Sequence, residues 1–302
     1  MGIDQIQNIF SGLSLGSILI LVALGLSVIY GLAGIINMSH GEFMMIGAYT
    51  TYCVQQLFIR HLPQAWLDMA FFISLPLSFV VAGLFGLLIE RLIIRRLYSR
   101  PLESLLATWG ISLILIQIAR NLFGDLTSVK APAVLSGGLR IAEGLLLPYN
   151  RLFIMGLTVI IFICVYFIFR KTRLGIKIRA VTQNRNMSAC AGISVKKIDM
   201  ITFIIGSGLA GIAGCAITLI GNVVPNMGQT YIVDSFLVVV SGGVGKLAGC
   251  VVSGLGIGIF SKIFEASFEA VYGKALVLIF IIAFLQYRPK GLFPDKGRVG
   301  DD

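Results

Sequence analysis

The sequence predicts an all-α, polytopic transmembrane helical bundle of about nine membrane-embedded segments, some of them discontinuous. Three observations predict it. Of 302 residues, 57% are hydrophobic and only 13% are charged, with a mean hydropathy of +0.93, whereas soluble domains carry about 25% charged residues. The apolar residues fall in blocks near the ~20 residues that cross a bilayer core. The 24 Lys and Arg gather between those blocks instead of being spread along the chain.

Taken in order, residues 9–58 form one apolar block long enough for two crossings, interrupted at 34–42. Residues 67–92, 104–122 and 151–169 supply three more. Beyond the basic stretch 170–200 lie 201–222, 231–245, 247–262 and 273–287. Basic clusters occupy 91–100 (Arg91, Arg95, Arg96, Arg100), 170–197 (among them Arg170, Arg173, Arg179, Arg185, Lys196) and the chain end (Arg288, Lys290, Lys296, Arg298). Clusters that flank apolar segments follow the positive-inside pattern, so these three regions are expected to be cytoplasmic. Segment parity then places the loop 123–150 and the N-terminus outside and the C-terminus inside. The net charge of +10 reports topology and contact with anionic membrane lipid, not nucleic acid.

The small-xxx-small pairs Gly12/Gly16, Ala210/Gly214, Gly245/Gly249 and Gly254/Gly258 suit close helix packing. The five cysteines are scattered without a C-x-x-C, which points to free thiols and supports neither metal nor disulfide framework. Only Asp4 is charged before residue 40, a poor signal peptide, so the first apolar run is expected to stay in the mature protein. The stretch "GGVGKL" (242–247) lacks a phosphate-loop pattern, because Val240 stands where the first glycine belongs and Leu247 where Ser or Thr belongs. No enzyme activity, cofactor or metal site is expected.

The most informative stretch is "GIINMSHGEFMMIGAYTT" (34–51), where Asn37, Ser39, His40 and Glu42 interrupt an apolar run. Ser39 followed three residues later by Glu42 reads as a capping box, which would satisfy orphan amides where no water is present. Glu42 thus caps a helix or faces a solute, and the two roles are compatible, because helix starts inside the bilayer are where transporters bind substrate. His40 bonds a backbone carbonyl or lines the same path. A second interruption, "GNVVPNMGQTYIVDSFLVVVSGGVGKLAG" (221–249), has a weak echo of the first in "VVPNMGQTY". There Asp234 is expected to cap a helix or face the pore, and Gly242, Gly243 and Gly245 to allow an unwound crossing. Asn37, Ser39, Thr108, Asn222 and Gln229 add uncharged polar groups near the breaks. The basic stretch 173–200 contains a short helix bounded by Gly175 and Gly192, either a loop on lipid headgroups or a docking element.

Five ordered motifs, "GLAGIINMSHGEFMMIGAYTT", "PLESLLATWGISLIL", "GIKIRAVTQNRNMSACAGI", "GSGLAGIAG" and "SGGVGKLAG", resemble the branched-chain amino acid permease family of ABC importers over nearly the whole chain. Within it, "LATWG", "VLSGGL", "GQTYIVDSF" and "YRPKGLFPDKGR" look like the urea-type branch. The resemblance implies one transmembrane permease domain, 1–302, with a cytoplasmic coupling loop at 175–193 and a cytoplasmic tail at 288–302, in a bacterial inner membrane. It also implies a second homologous permease subunit, two cytoplasmic ATP-binding subunits and an extracytoplasmic solute-binding protein. Gly175, Arg179, Gln183, Asn184 and Gly192 become candidates for ATPase coupling. One departure from the family pattern is Lys246, where a neutral residue is usual. The expected cargo is urea or a short-chain amide, with a branched-chain amino acid as alternative. A passive urea or amide channel and an ion-coupled transporter using Glu42 and Asp234 are competing classes.

Overall fold

The computed structural model describes residues 3–34, 36–63, 66–98, 100–142, 145–289 and 291–293. Helices α1 (Ile3–Ala33), α2 (His40–His61), α3 (Leu67–Leu92), α4 (Pro101–Phe123) and α5 (Tyr149–Lys171) come first. Two short helices, α6 (Arg173–Gln183) and α7 (Arg185–Cys190), lead into α8 (Val195–Ile217), α9 (Met227–Gly242) and α10 (Leu247–Tyr287). Between α4 and α5, strands β1 (Gly138–Ala142) and β2 (Leu145–Pro148) pair antiparallel, Gly138 opposite Pro148. Among the described residues six stretches are long and apolar enough to cross a membrane, within α1, α3, α4, α5, α8 and the first part of α10.

Helix α10 is helical over 41 residues yet cannot be straight. The ring centroids of Phe260 and Phe280 lie 5.2 Å apart, where a straight helix would separate them by about 30 Å. A Cβ on Gly273 would strike the Glu265 backbone. The chain therefore reverses between these two residues, and the halves expected at 247–262 and 273–287 lie against each other.

Glycine decides what sits in the middle. Gly12 and Gly16 of α1 touch the backbone of α10 at Gly258 and Gly254, so two of the predicted small-residue pairs pack on each other. Gly25 meets Gly206, Gly47 meets Gly211, and Gly214 lies on the Met44 carbonyl. In lipid no hydrophobic force draws helices together, so backbones that approach without intervening side chains supply the attraction. Helices α1 and α8 are the central pair in consequence.

The bundle has two distinct ends. At one, Arg185 lies over the Tyr98 ring, 4.6 Å from its centroid, so the basic regions 91–100 and 173–199 share that end. Gly31 and Gly245 also meet there. At the other, the hairpin end, the Gln55 amide binds the Lys130 carbonyl at 2.7 Å and Thr127 pairs with Val223.

Two expectations are corrected here. The element bounded by Gly175 and Gly192 is two helices, because Asn184 is extended and its side chain accepts the Met187 amide to start α7. Gly175 is inside α6, its amide bonded to Thr172 Oγ1 at 3.3 Å, and Gly192 closes α7 at φ 81°. The second concerns "GGVG": Gly243 and Gly245 take φ 101° and 76° in a tight turn joining α9 to α10, which is not an unwound crossing. Most of the expected tail, 290 and 294–302, lies outside the described residues. Leu292 and Phe293 donate their amides to the Ser241 and Gly242 carbonyls, at 2.8 and 3.3 Å.

Candidate functional site

Helix α1 ends at the basic end, and the next residues turn back along it. Helix α2 then starts beside Val22 and Gly25, not beside Ala33: His40 Nε2 is 3.2 Å from the Val22 carbonyl. Eight to eleven residues of α1 correspond to about 12–16 Å of depth. Helix α9 starts at the same depth. A Cβ on Gly41 would overlap the Gly228 carbonyl, and one on Gly228 would meet the Gly41 backbone. Two helix N-termini thus abut inside the bundle, α2 leading to the hairpin end and α9 to the basic end. The two segments whose sequences echo each other are the ones that meet.

Unsatisfied amides give each helix start a partial positive charge, and Glu42 lies at both. It is fully buried, in the first turn of α2, and a Cβ on Gly228 would stand 2.7 Å from its Oε2. Ser112 of α4 donates its hydroxyl to Glu42 Oε1 at 2.8 Å, while Oε2 has no hydrogen-bond partner.

The capping box does not form. Ser39 is the N-cap residue but makes no side-chain cap bond. Its amide and its hydroxyl both donate to Asn37 Oδ1, at 3.0 and 2.6 Å, so the amide Glu42 would have served is already taken. The carboxylate is left for Ser112. Thr108 Oγ1 accepts the Met38 amide at 3.1 Å, tying the break to α4, and the Asn37 Nδ2 donor is buried without a partner.

Of the predicted site residues, Asn37, Ser39, His40, Glu42 and Thr108 therefore converge. His40 packs edge-on against Phe43. Asn222 and Gln229 are exposed, Gln229 in the first turn of α9 next to Gly228. Asp234 is not a cap: α9 begins after Asn226, and the Asp234 carboxylate pairs with Lys274 of α10 at 3.2 Å. Burying a carboxylate in a helix interior requires such a counter-charge. In the coupling region Arg179 bonds the Phe169 carbonyl, Gln183 and Asn184 are exposed, and Ile176 and Met187 present bare apolar surface. Lys246 is the extended residue before α10.

Sequence reasoning missed Ser104 and Ser112, which share a face with Thr108 at four-residue spacing and are buried with it. It also missed a charged cluster at the basic end. Arg185 of α7 pairs with the buried Asp199 of α8 at 2.5 Å, and Glu90 at the end of α3 is fully buried. The nearby Tyr98 phenol is pushed up in pKa by burial. Among the described residues no cluster of three His, Cys, Asp or Glu is placed to hold a metal.

The chain is thus a helical bundle of membrane-crossing length, with one short hairpin, whose buried polar groups meet at two internal helix starts. Residues 8–285 match the family described as branched-chain amino acid transport system, permease component, and the chain belongs to that family. It is 29% identical to the high-affinity branched-chain amino acid transport system permease protein BraD of Pseudomonas aeruginosa, over 95% of each chain. It is 27% identical to the LivH protein of the corresponding system in Escherichia coli, over 95% of this chain and 94% of that one. To a probable LivH permease of Methanocaldococcus jannaschii it is 28% identical, over 91% and 88% of the two chains. No solved structure matches.

Proposed function

We propose that this chain is the membrane subunit of an ATP-driven importer and carries a small nitrogenous solute across the junction of α2 and α9. The observation that carries the reading is that junction. It holds an unpartnered acceptor, Glu42 Oε2, and an unpartnered donor, Asn37 Nδ2, both buried. Buried polar atoms without partners are costly in a bundle, and a solute with N–H donors and a carbonyl or carboxylate would complete both.

The relatives' names support a branched-chain amino acid as cargo. Its ammonium would go to Glu42 and its carboxylate to the helix starts. Urea is the second reading, favoured by the urea-type motifs and by groups that are mostly amide and hydroxyl. Urea has four N–H donors and one acceptor, so it needs no fixed charge pair. The basic end, by the positive-inside rule, faces the cytoplasm, and α6 and α7 receive the ATP-binding subunits through Ile176, Met187 and the Gln183–Asn184 corner. A second permease chain and a solute-binding protein complete the assembly.

The test is uptake of labelled leucine and labelled urea by the complete importer in proteoliposomes, with and without ATP. Uptake that requires ATP supports the proposal, and competition by unlabelled leucine or urea assigns the cargo. Downhill uptake through the lone chain would overturn it in favour of a channel. Uptake that collapses with the proton or sodium gradient at constant ATP would instead favour an ion-coupled carrier.

A further inference from the structure

Ser104, Thr108 and Ser112 stand on one face of α4, each one turn from the next, and all three are buried. Together they span about 12 Å, from the depth of Glu42 down to the first turn of α4 at the basic end, where the Ser104 amide bonds the Arg100 carbonyl. Each hydroxyl is in a different state. Ser112 donates to Glu42 Oε1 at 2.8 Å. Thr108 donates to the Leu105 carbonyl at 3.1 Å and accepts from the Met38 amide. Ser104 Oγ has no partner at all, although it is fully buried.

The opposite face of α4 is bare apolar surface, with Leu102, Leu106, Trp109, Leu113 and Ile118 exposed. A helix that served only to close the bundle toward lipid would need no buried hydroxyls on its inner side. Alanine or leucine would pack there without orphaned oxygens. Within the series the one serine that bonds nothing is also the one nearest the basic end; Ser14, Ser27, Ser235 and Ser253 are likewise buried without partners, but Ser104 continues a row of hydroxyls that leads to Glu42.

We propose that this face of α4 is the inward wall of the transport route. A solute leaving Glu42 Oε2, with Ser112 still donating to Oε1, passes its N–H groups to the hydroxyl oxygens of Thr108 and Ser104 on the way to the basic end. The ligand class is a small uncharged or zwitterionic solute bearing N–H donors, since the wall offers hydroxyl acceptors and no fixed charge. Ser112 is a positioning residue that keeps Glu42 aimed at the junction while the route is empty. This rests on the importer reading above, and the experiment separates the two.

The measurement is ATP-driven uptake of labelled urea and labelled leucine by the complete importer, with KM and maximal rate determined separately for whichever is carried. Ser112→Val should raise KM about tenfold, the scale of one hydrogen bond to a charged group, while Ser112→Thr, which keeps the hydroxyl, should restore it to within about twofold. Ser104→Ala should lower the maximal rate several-fold and leave KM nearly unchanged, because that hydroxyl is met after binding. Leu113→Ala, on the lipid-facing side, should change neither. Equal loss in Ser112→Val and Ser112→Thr, or normal kinetics in Ser112→Val and Ser104→Ala, would overturn the proposed wall while the importer reading stood. Failure of the unaltered complex to carry either compound with ATP would count against the importer reading itself. Copurification of the ATP-binding subunits with each variant shows that it has folded and assembled.

Discussion

Helices α8 and α4 are the same length, 23 residues each, both apolar enough to span a bilayer, and structurally opposite. Helix α8 is buried on almost every side and meets α1, α2 and α3 through Gly206, Ser207, Gly211 and Gly214. Helix α4 is attached by a narrow hydroxyl-bearing face and leaves the rest of its surface bare. Hydropathy does not separate them. Helix α5, the most apolar span among the described residues, is only 17% buried along its membrane-length stretch, whereas α1 is 89% buried. In a bilayer apolarity only admits a helix to the membrane; small residues bring it to the centre, and polar ones give it a task.

The difference can be broken most severely at its glycines. Gly214→Val places a side chain on the Met44 carbonyl, where backbone on both sides cannot yield, and should abolish recovery of monodisperse protein. Gly110→Val on α4, whose Cβ would meet nothing, should leave size-exclusion profiles as they are. If both behave alike, glycine packing does not organise the centre. Glu42→Ala should come next: loss of the buried acceptor is expected to cut ATP-driven uptake by at least tenfold, while assembly with the ATP-binding subunits persists. Undiminished uptake would remove the junction from the route.

Smaller effects test the basic end. Arg185→Ala strips the nearest counter-charge from Asp199, whose side chain is 4% exposed, and leaves the more distant Arg95. A buried carboxylate left alone costs several kcal/mol; the partial exposure of Arg185 and the remaining Arg95 reduce this, and a loss of about 2 kcal/mol in thermal unfolding in detergent is expected. Arg100→Ala breaks an ion pair in which both side chains are more than half exposed. Its cost should stay under about 0.5 kcal/mol, the smallest change of the set. A reversal of that order would show that Arg95 suffices as the counter-charge of Asp199.

The bundle was legible because its signals are local. Runs of apolar residues marked every embedded segment, and even the two halves of α10 stood out, since Lys262, Glu265 and Lys274 interrupt them. The break at 34–42 was legible for the same reason, as four polar residues in an apolar run. What the break does was not. Ser39 and Glu42 have the spacing of a capping box, but Asn37, two residues before Ser39, competes for the same amide, and Ser112, seventy residues away, competes for the carboxylate. The cap expected at Asp234 failed likewise, because Lys274, forty residues further on, takes its carboxylate. Partner choice across helices depends on packing that no local pattern encodes. The β1–β2 hairpin passed unnoticed as well, its strands being too short to show alternation.

The reversal inside α10 has a bearing on how the protein enters the bilayer. Its two halves begin and finish at the same end of the bundle, and near the fold Lys262 and Glu265 lie 2.6 Å apart, cancelling each other's charge. A segment that leaves and returns at one end can be delivered during biogenesis as a single closed piece, against the glycine seam that α1 presents to it.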